Sequence, residues 1–260
     1  MKKVYLDPQT GLLAANDASN GKKLFLELST IDASVSAEVA QKVVSEGHGM
    51  FVDAPCSVSR THPSSSNCPR QCTNRFHPQG GAMGAESGTL SFMVGCSAEL
   101  FPQVLSICTL IGKEECIFHC GELGSGLKTK LLNNYLSSLT AMATAETINI
   151  GIRTGLDARK LNEVLNASSG MNFNSKINNP VPGLTPNNAA SKGYIGGFSL
   201  ELCLGVLELG YKAAQDNGAR TVLGEPMLHA FRDAAQQPEF QGKDSKVIYK
   251  WLGGADPVLA

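Results

Sequence analysis

The chain has 260 residues, of which 42% are hydrophobic and 17% are charged, as is typical of a globular protein of one or two domains. Its formal net charge of -1 does not favour a nucleic-acid or membrane-surface partner, and no apolar run is long enough to span a membrane. Eight cysteines without a secretory signal predict free thiols in a reducing compartment.

The first half of the chain predicts alternating strands and helices. Apolar runs predict strands at 24–30 and 50–53, and a helical period predicts a helix over 33–46 with Asp32 as its N-cap. A strand, helix and strand in this order are typical of a βαβ unit with a parallel sheet. Further expected elements are a strand at 90–94, a helix over 97–110 and a strand at 115–118.

The second half of the chain predicts helices. A helix over 127–153 would be about 40 Å long, which is enough to bridge two domains. A region rich in Asn, Pro and Gly over 172–197 predicts loops. The remaining helices are expected over 200–217, 225–235 and 244–252.

One segment, 58–79, interrupts this order. It contains three prolines and many polar residues, and its apolar residues follow no period. Such a segment cannot bury a core, so it predicts a disordered insertion that is foreign to the fold.

The stretch from Gly121 to Asn134 holds the strongest candidate chemistry. Three glycines precede the long predicted helix, whose first N–H groups can bind an anion. Lys130 and Asn134 are four residues apart, so both lie on one face of that helix. An amine and an amide directed at one point suit a substrate that carries a transferable proton. The alternative interpretation is a loop leading into a helix with a solvated lysine.

Cysteine and histidine residues form two groups that could suggest a metal. These groups are Cys116, His119 and Cys120, and Cys68, Cys72 and His77. Neither group has the paired short spacings of a structural zinc site. We therefore expect no metal, and we interpret the first group as part of a buried strand.

Four stretches together resemble the β-hydroxyacid dehydrogenase family, and most closely its 3-hydroxyisobutyrate dehydrogenase branch. They are Ser29-Thr-Ile-Asp32, Asp53-Ala-Pro55 with 80–90, Phe92-Met-Val-Gly95, and Gly121-x-x-Gly-x-Gly-x-x-x-Lys-x-x-Asn-Asn134. The resemblance implies an incomplete Rossmann-like NAD-binding domain over 1–119, with a partial parallel sheet. It also implies an all-α C-terminal domain over 120–260, similar to that of 6-phosphogluconate dehydrogenase and joined by the long helix.

The resemblance further implies NAD-dependent oxidation of 3-hydroxyisobutyrate to methylmalonate semialdehyde, a step of valine catabolism, with NADP as the alternative cofactor. Lys130 would be the general acid and base, and Asn134 would bind the reacting oxygen. Lys128 is the alternative to Lys130.

Three other positions would bind the substrate by the same resemblance. Ser57, Gly80 and Gly81 would hold the carboxylate, although Ser57 could instead be an ordinary turn residue. Thr30, at the end of its strand, would contact the nicotinamide side of the cofactor.

The chain departs from the family pattern in three places. The opening Gly-x-Gly-x-x-Gly turn does not occur, so we expect an N-terminally truncated chain with impaired dinucleotide binding and activity. Gly205 and Val206 stand where many relatives have Lys-Asp. The segment 58–79 divides a continuous family motif, and we hypothesise that it is a translated intron, which transcript sequencing would test.

Other functions stay open on this evidence. One is a related semialdehyde or glyoxylate reductase, and another is an inactive helical dimerisation remnant. The resemblance implies a small 3-hydroxy acid as substrate, homo-oligomers formed through the helical domain, and a mitochondrial location. Because the start of the chain does not have the composition of a transit peptide, a complete chain would be cytoplasmic.

Overall fold

The computed structural model describes residues 1–14, 23–58, 88 and 90–257. These residues divide into two compact units, of which unit 1 extends to Leu132 and unit 2 begins at Asn133. The predicted insertion over 58–79 lies outside the described residues except for Val58, which ends a strand. The two candidate residues Gly80 and Gly81 also lie outside them.

Unit 1 is built around a mixed β-sheet. Its strands are β1 (Lys23–Glu27), β2 (Gly49–Asp53), β3 (Cys56–Val58), β4 (Leu90–Gly95) and β5 (Gly112–Gly121). Among the described residues the strand order is β1-β2-β4-β3, and β5 pairs with β4. The pairs β1–β2 and β4–β5 are parallel, whereas β4 runs antiparallel to β2 and β3.

The predicted βαβ unit is confirmed. Strands β1 and β2 pair in parallel along their whole length, and helix α2 (Ala33–Ser45) connects them. The Asp32 side chain accepts hydrogen bonds from the N–H groups of Ser34 and Val35, as its position as N-cap predicted. The carboxyl ends of β1 and β2 therefore lie at the same edge of the sheet.

The partial parallel sheet that the resemblance implies also contains antiparallel pairs. Strand β3 continues in the direction of β2 beyond Pro55, and β4 returns beside both strands in the opposite direction. A three-residue strand carries too little periodicity to be predicted, and β3 forms because Cys56 pairs with Phe92 and Ser57 with Ser91.

Helices α1 (Lys2–Leu6) and α3 (Phe101–Cys108) pack beside this sheet in addition to α2. Helix α1, which the sequence did not predict, places Tyr5 in a cluster with Val39, Val43 and Phe51. Helix α3 is shorter than expected. The central core of unit 1 consists of apolar residues from β2, β4 and α3, among them Val52, Phe92, Val94 and Val104.

The long helix α4 (Ser125–Arg153) begins in unit 1 and ends in unit 2, which confirms the helix predicted over 127–153. Its composition is too polar for a membrane. Within the described part of the chain, no helix combines the length and the apolar character needed to cross a bilayer.

Unit 2 is helical. Its α-helices after α4 are α5 (Ala158–Ala167), α6 (Phe173–Lys176), α7 (Leu200–Asp216), α8 (Gly224–Gln236) and α9 (Ile248–Trp251). Leu200, Leu207, Leu228, Phe231 and Ile248 form part of its main core. The helix expected over 244–252 is instead a 3-10 turn (Ser245–Val247) followed by α9, since the Asp244 carboxylate caps the turn at the Lys246 N–H. The predicted fold class, a partial Rossmann-like unit followed by a helical one, is confirmed.

Candidate active site

A carboxylate of the sheet holds the start of α4. The Asp53 side chain lies at the carboxyl end of β2, where Oδ1 accepts the Gly124 N–H at 2.6 Å and Oδ2 accepts the Leu127 N–H at 2.7 Å. Burial raises the pKa of Asp53, while these two hydrogen bonds act in the opposite direction. The anion site expected at the start of this helix is therefore occupied, at these two N–H groups, by the protein's own carboxylate.

Glycines allow the first turn of α4 to lie directly on the sheet. A Cβ atom at Gly126 would lie 2.0 Å from the Met93 carbonyl oxygen, and one at Gly95 would lie 2.4 Å from Asp53 Oδ1. Both positions require glycine because a backbone or a bonded carboxylate fills the space. This close contact fixes the position of α4 one turn before Lys130.

Lys130 is buried, with 7% of its surface exposed, whereas Lys128 in the same turn is exposed. Burial lowers the pKa of Lys130 to about 8, because the ammonium loses its hydration. The nearby Cys56 thiol acts in the opposite direction. Among the described residues no carboxylate forms an ion pair with Lys130. With a pKa of about 8, roughly a tenth of the amine is neutral at pH 7 and about half at pH 8.

Asn134 lies one helical turn beyond Lys130 and is half-buried. Its side-chain oxygen is 3.4 Å from the Asn133 side-chain nitrogen, and its backbone carbonyl accepts the Ser138 hydroxyl at 3.0 Å. The continuous helix places Lys130 and Asn134 on one face. An amine that can accept a proton and an amide that can donate a hydrogen bond are thus one turn apart.

Ser57 lies in β3 and is half-buried. It pairs with Ser91 of β4, whose hydroxyl lies 3.3 Å from the Ser57 carbonyl oxygen. Ser57 is therefore a strand residue rather than a turn residue. Its predicted partners Gly80 and Gly81 are not among the described residues.

Thr30 lies three residues beyond the end of β1, which stops at Glu27 rather than at Thr30 itself. It is half-buried and leads into α2. A separate pocket of about 240 Å³ is lined by residues of α2, from Ala33 to Val44, and by Leu123 and Gly124, and Thr30 is not among its lining residues. Ligands of such sheets bind at the carboxyl ends of the strands, and Thr30 lies beyond that end of β1.

The described residues contain no cluster of three His, Cys, Asp or Glu side chains that could hold a metal ion. In β5, Cys116 is buried, whereas the exposed His119 stacks on Phe101 and places Nε2 2.8 Å from the Cys96 carbonyl oxygen. The second group, Cys68, Cys72 and His77, lies outside the described residues.

The Asp53-Ala-Pro55 stretch and the following Cys56 did not predict the interactions that Asp53 and Cys56 make in the fold. A carboxylate that ends an apolar strand must find donors once it is buried, and this rule could have identified Asp53 as a cap. The electrostatic effect of Cys56 on Lys130 depends on the fold, because the two residues are far apart in the sequence.

Comparison with known proteins defines the family. Residues 124–252 match the model for "NAD-binding of NADP-dependent 3-hydroxyisobutyrate dehydrogenase", and 79–121 match that for the "NAD binding domain of 6-phosphogluconate dehydrogenase". The 3-hydroxyisobutyrate dehydrogenase of Pseudomonas aeruginosa is 35% identical over 237 residues, which cover 91% of this chain and 71% of the relative. The NAD-dependent L-serine dehydrogenase of the same species is 34% identical over 95% of this chain and 73% of its own length.

Longer relatives and a solved structure agree with these matches. The mitochondrial 3-hydroxyisobutyrate dehydrogenase of Mus musculus is 32% identical over 90% of this chain, which spans 62% of that protein's length. The structure of Mycobacterium tuberculosis 3-hydroxyisobutyrate dehydrogenase with L-serine superposes with a TM-score of 0.75 and 26% identity, covering 94% of this chain and 74% of that one.

The fold, the two NAD-binding family models and these relatives define an oxidoreductase class, the NAD-dependent 3-hydroxyacid dehydrogenases, which act on small molecules. The chain belongs to the 3-hydroxyisobutyrate dehydrogenase family. The family, enzyme class and cofactor type predicted from the motifs are confirmed.

Proposed function

We propose that the chain oxidises a small 3-hydroxy acid with NAD, and that 3-hydroxyisobutyrate, oxidised to methylmalonate semialdehyde, is its substrate. The observation that carries this proposal is the buried Lys130 amine, whose pKa is lowered to about 8, one turn before Asn134 on α4. The relatives named 3-hydroxyisobutyrate dehydrogenase support the substrate.

Each group has a defined task in this reaction. Neutral Lys130 accepts the proton of the substrate hydroxyl, and the Asn134 amide donates a hydrogen bond to the same oxygen. Burial suits Lys130 to this task, because an amine in water would be almost fully protonated at neutral pH. The dinucleotide, when bound, supplies the acceptor for the hydride.

The substrate carboxylate requires donors on the other side of the reacting carbon. The Ser57 hydroxyl in β3 is the described candidate, and the N–H groups of Gly80 and Gly81 are expected to assist it. Thr30, beyond the carboxyl end of β1, is assigned to the nicotinamide side of the cofactor. The domain over 1–119 would thus bind the cofactor. The domain over 120–260 would contain Lys130 and mediate assembly.

L-serine is the second candidate substrate. It is itself a 3-hydroxy acid, and a relative of nearly equal identity is named NAD-dependent L-serine dehydrogenase. The same proton transfer would serve both substrates, as well as the reverse reduction of a semialdehyde. The preference between these substrates therefore depends on the residues that contact the second carbon of the substrate.

The decisive experiment measures NADH formation by the purified chain at saturating NAD with 3-hydroxyisobutyrate, L-serine and glycerate as separate substrates. We expect the highest kcat/KM with 3-hydroxyisobutyrate, and loss of turnover in Lys130→Ala. The exposed neighbour provides a matched control, since Lys128→Ala should retain activity. Equal activity in Lys130→Ala and Lys128→Ala would refute the role of Lys130.

Dinucleotide binding separates an enzyme from an inactive assembly module. Titration calorimetry with NAD should show a saturable but weak site, since the Gly-x-Gly-x-x-Gly turn does not occur in the sequence, and Thr30→Ala should weaken binding further. A chain that binds no NAD at millimolar concentration, yet assembles normally, would instead be a helical remnant.

Assembly through unit 2 is proposed from the exposed apolar residues of α4. Leu136 and Ile150 are 61% and 62% exposed on this helix, and such residues are typical of helix–helix interfaces. Light scattering of the purified chain would show a homo-oligomer, and Leu136→Glu with Ile150→Glu would shift it toward monomer. The proposed mitochondrial location, which the name of the Mus musculus relative supports, is tested by microscopy of a fluorescent fusion.

A further inference from the structure

Helix α4 carries apolar side chains on two opposite faces within unit 2. On one face Ala145 and Ile148 are fully buried in a core cluster. On the other face Leu136, Ala143 and Ile150 are exposed, and they follow one another at intervals of seven residues. This interval keeps the three side chains on one face of a helix. Because a helix that is apolar on opposite sides is typically buried between neighbours, the exposed face predicts a packing partner.

The threonines of this exposed face already have hydrogen-bond partners within α4. Thr140 Oγ1 donates to the Leu136 carbonyl oxygen at 3.1 Å, and Thr147 Oγ1 donates to the Ala143 carbonyl oxygen at 2.7 Å. Burial of the face against a partner would therefore leave neither hydroxyl without a hydrogen bond. The face can lose its water without the cost that an unsatisfied polar group would add.

The exposed face of α4 is complementary to itself. Leu136 lies seven residues before Ala143 and Ile150 lies seven residues after it, which places them about 10 Å to either side along the helix axis. When a second copy of α4 is turned end for end about Ala143, Leu136 of each copy lies at the level of Ile150 of the other. The small side chain of Ala143 lets the two helices approach closely at the centre. Such a face fits the isologous interface of a two-fold dimer.

Electrostatics favours the antiparallel direction over the parallel one. In a parallel pair the exposed Arg153 lies at the same level as its own copy, and the like partial charges of the helix ends also meet. In the antiparallel pair the two copies of Arg153 are about 30 Å apart along the axis, because each lies ten residues from Ala143. The antiparallel pair also places the end of each helix beside the oppositely charged end of the other.

We propose that α4 packs against α4 of a second copy of this chain in an antiparallel two-fold dimer, with Ala143 at the two-fold axis. Leu136 of each copy packs against Ile150 of the other, and both side chains are more than half exposed in the single chain. This dimer is a specific form of the assembly proposed for unit 2, and the proposal rests on that assembly. It adds the direction and the register of the contact.

Disulfide cross-linking at introduced cysteines measures this direction and register. Helix α4 has no native cysteine, so the wild-type chain gives the background from cysteines elsewhere. After mild oxidation, Ala143→Cys should give covalent dimer about fivefold above this background on non-reducing electrophoresis, because a residue at a two-fold axis meets its own copy. Leu136→Cys and Ile150→Cys should each stay at the background, since the two copies of each would be about 20 Å apart.

The variant that carries both Leu136→Cys and Ile150→Cys should cross-link, because each new thiol then faces the other kind. Cross-linking of all three single variants would show a parallel pair. Cross-linking of no variant would show that α4 does not pack against its copy. Either of these two results would overturn the proposal.

Light scattering separates the failure of this dimer from the failure of the proposed assembly. Ala143→Arg should halve the measured mass, because it buries a charge against its own copy at the axis. Val164→Arg is the matched control, at a side chain of α5 that is 53% exposed and lies on another helix, and it should leave the mass unchanged. A monomeric wild type would contradict both proposals. An assembly that persists in Ala143→Arg would contradict only the contact at Ala143.

Discussion

The Asp53 carboxylate accepts the Leu127 N–H at 2.7 Å, and this bond joins the end of β2 to the helix that carries Lys130. A second bond, from the Gly124 N–H at 2.6 Å, completes the cap. The sheet edge and the proposed proton acceptor are therefore held together by one side chain. The orientation of Lys130 depends on this contact more directly than on the glycine-rich sequence that precedes it.

Replacing Asp53 by Asn should weaken this cap. An amide oxygen can accept one of the two N–H groups, but the amide nitrogen cannot accept the other, so one buried donor loses its partner. We expect a loss of about 1–2 kcal/mol in the free energy of unfolding. Urea titration monitored by circular dichroism would measure it, and Asp7→Asn, at an exposed turn, is the control expected to cost less. A fully stable Asp53→Asn variant would show that the cap is dispensable.

Two glycine substitutions should have opposite effects. A Cβ at Gly126 would lie 2.0 Å from the Met93 carbonyl oxygen, so Gly126→Ala should displace α4 and destabilise the fold by about 3 kcal/mol. Gly205 lies in the exposed interior of α7 with no atom within 4 Å of an added Cβ. Gly205→Ala should therefore stabilise the fold by about 0.5–1 kcal/mol. Thermal melting of both variants tests the pair, and equal effects would contradict the packing at Gly126.

Lys130 should make stability depend on pH in a defined window. Its pKa is about 8 in the folded chain and 10.5 in the reference state, so between these values the folded protein binds fewer protons and stability rises with pH. Below pH 8 the lysine is protonated in both states, so burial of the ammonium lowers the free energy of unfolding by its full amount. Lys130→Met should therefore stabilise the fold at pH 7 by about 1–3 kcal/mol.

The stabilisation should decrease as the pH rises from 8 and be largely lost by pH 10.5, where the lysine is neutral in the folded state and half-neutral in the reference state. Urea titrations at several pH values between 7 and 10.5 measure this difference. Lys128→Met, at the exposed lysine of the same turn, should show no such dependence. A Lys130→Met variant that is less stable than wild type at pH 7 would contradict the burial of an unpaired ammonium.

Asn134 should affect turnover more than binding. The Asn134 amide is expected to stabilise the transition state, because negative charge develops on the reacting oxygen as the proton leaves. Asn134→Ala should therefore lower kcat by about 10²–10³ with a small change in KM. The exposed Asn133 provides a matched control, and Asn133→Ala should change kcat less than about threefold. Steady-state kinetics that show equal losses in both variants would remove Asn134 from the reacting pair.

Local patterns were sufficient for the regular parts of the fold. The Asp32 cap, the parallel β1–β2 pair and the long helix α4 follow from hydrophobic period and capping chemistry, and all three were predicted. Strand β3 and helix α1 were missed because they are short and are stabilised by partners distant in sequence, such as Phe92 for Cys56. Tertiary pairing, and not propensity, decides such elements.

Some features of the candidate site could likewise be predicted from local sequence, and others could not. The spacing of Lys130 and Asn134 predicted a shared helical face, which the continuous helix provides. The exposure of Lys128 and the capping by Asp53 could not be predicted, since each depends on how α4 lies on the sheet. The sequence shows the glycines that permit the contact between α4 and the sheet, but it does not show the neighbouring atoms that exclude a larger residue.

The pH dependence of kcat/KM tests the central claim most directly, because it reports the ionisation of the free protein's proton acceptor. With 3-hydroxyisobutyrate as substrate, we predict that kcat/KM rises about tenfold for each pH unit below about 8 and becomes constant above it, as the pKa of Lys130 requires. Lys130→Ala should lose both the activity and this rise. A profile that is flat between pH 6 and pH 10, or one that keeps the same rise in Lys130→Ala, would contradict the assignment of Lys130 as the proton acceptor.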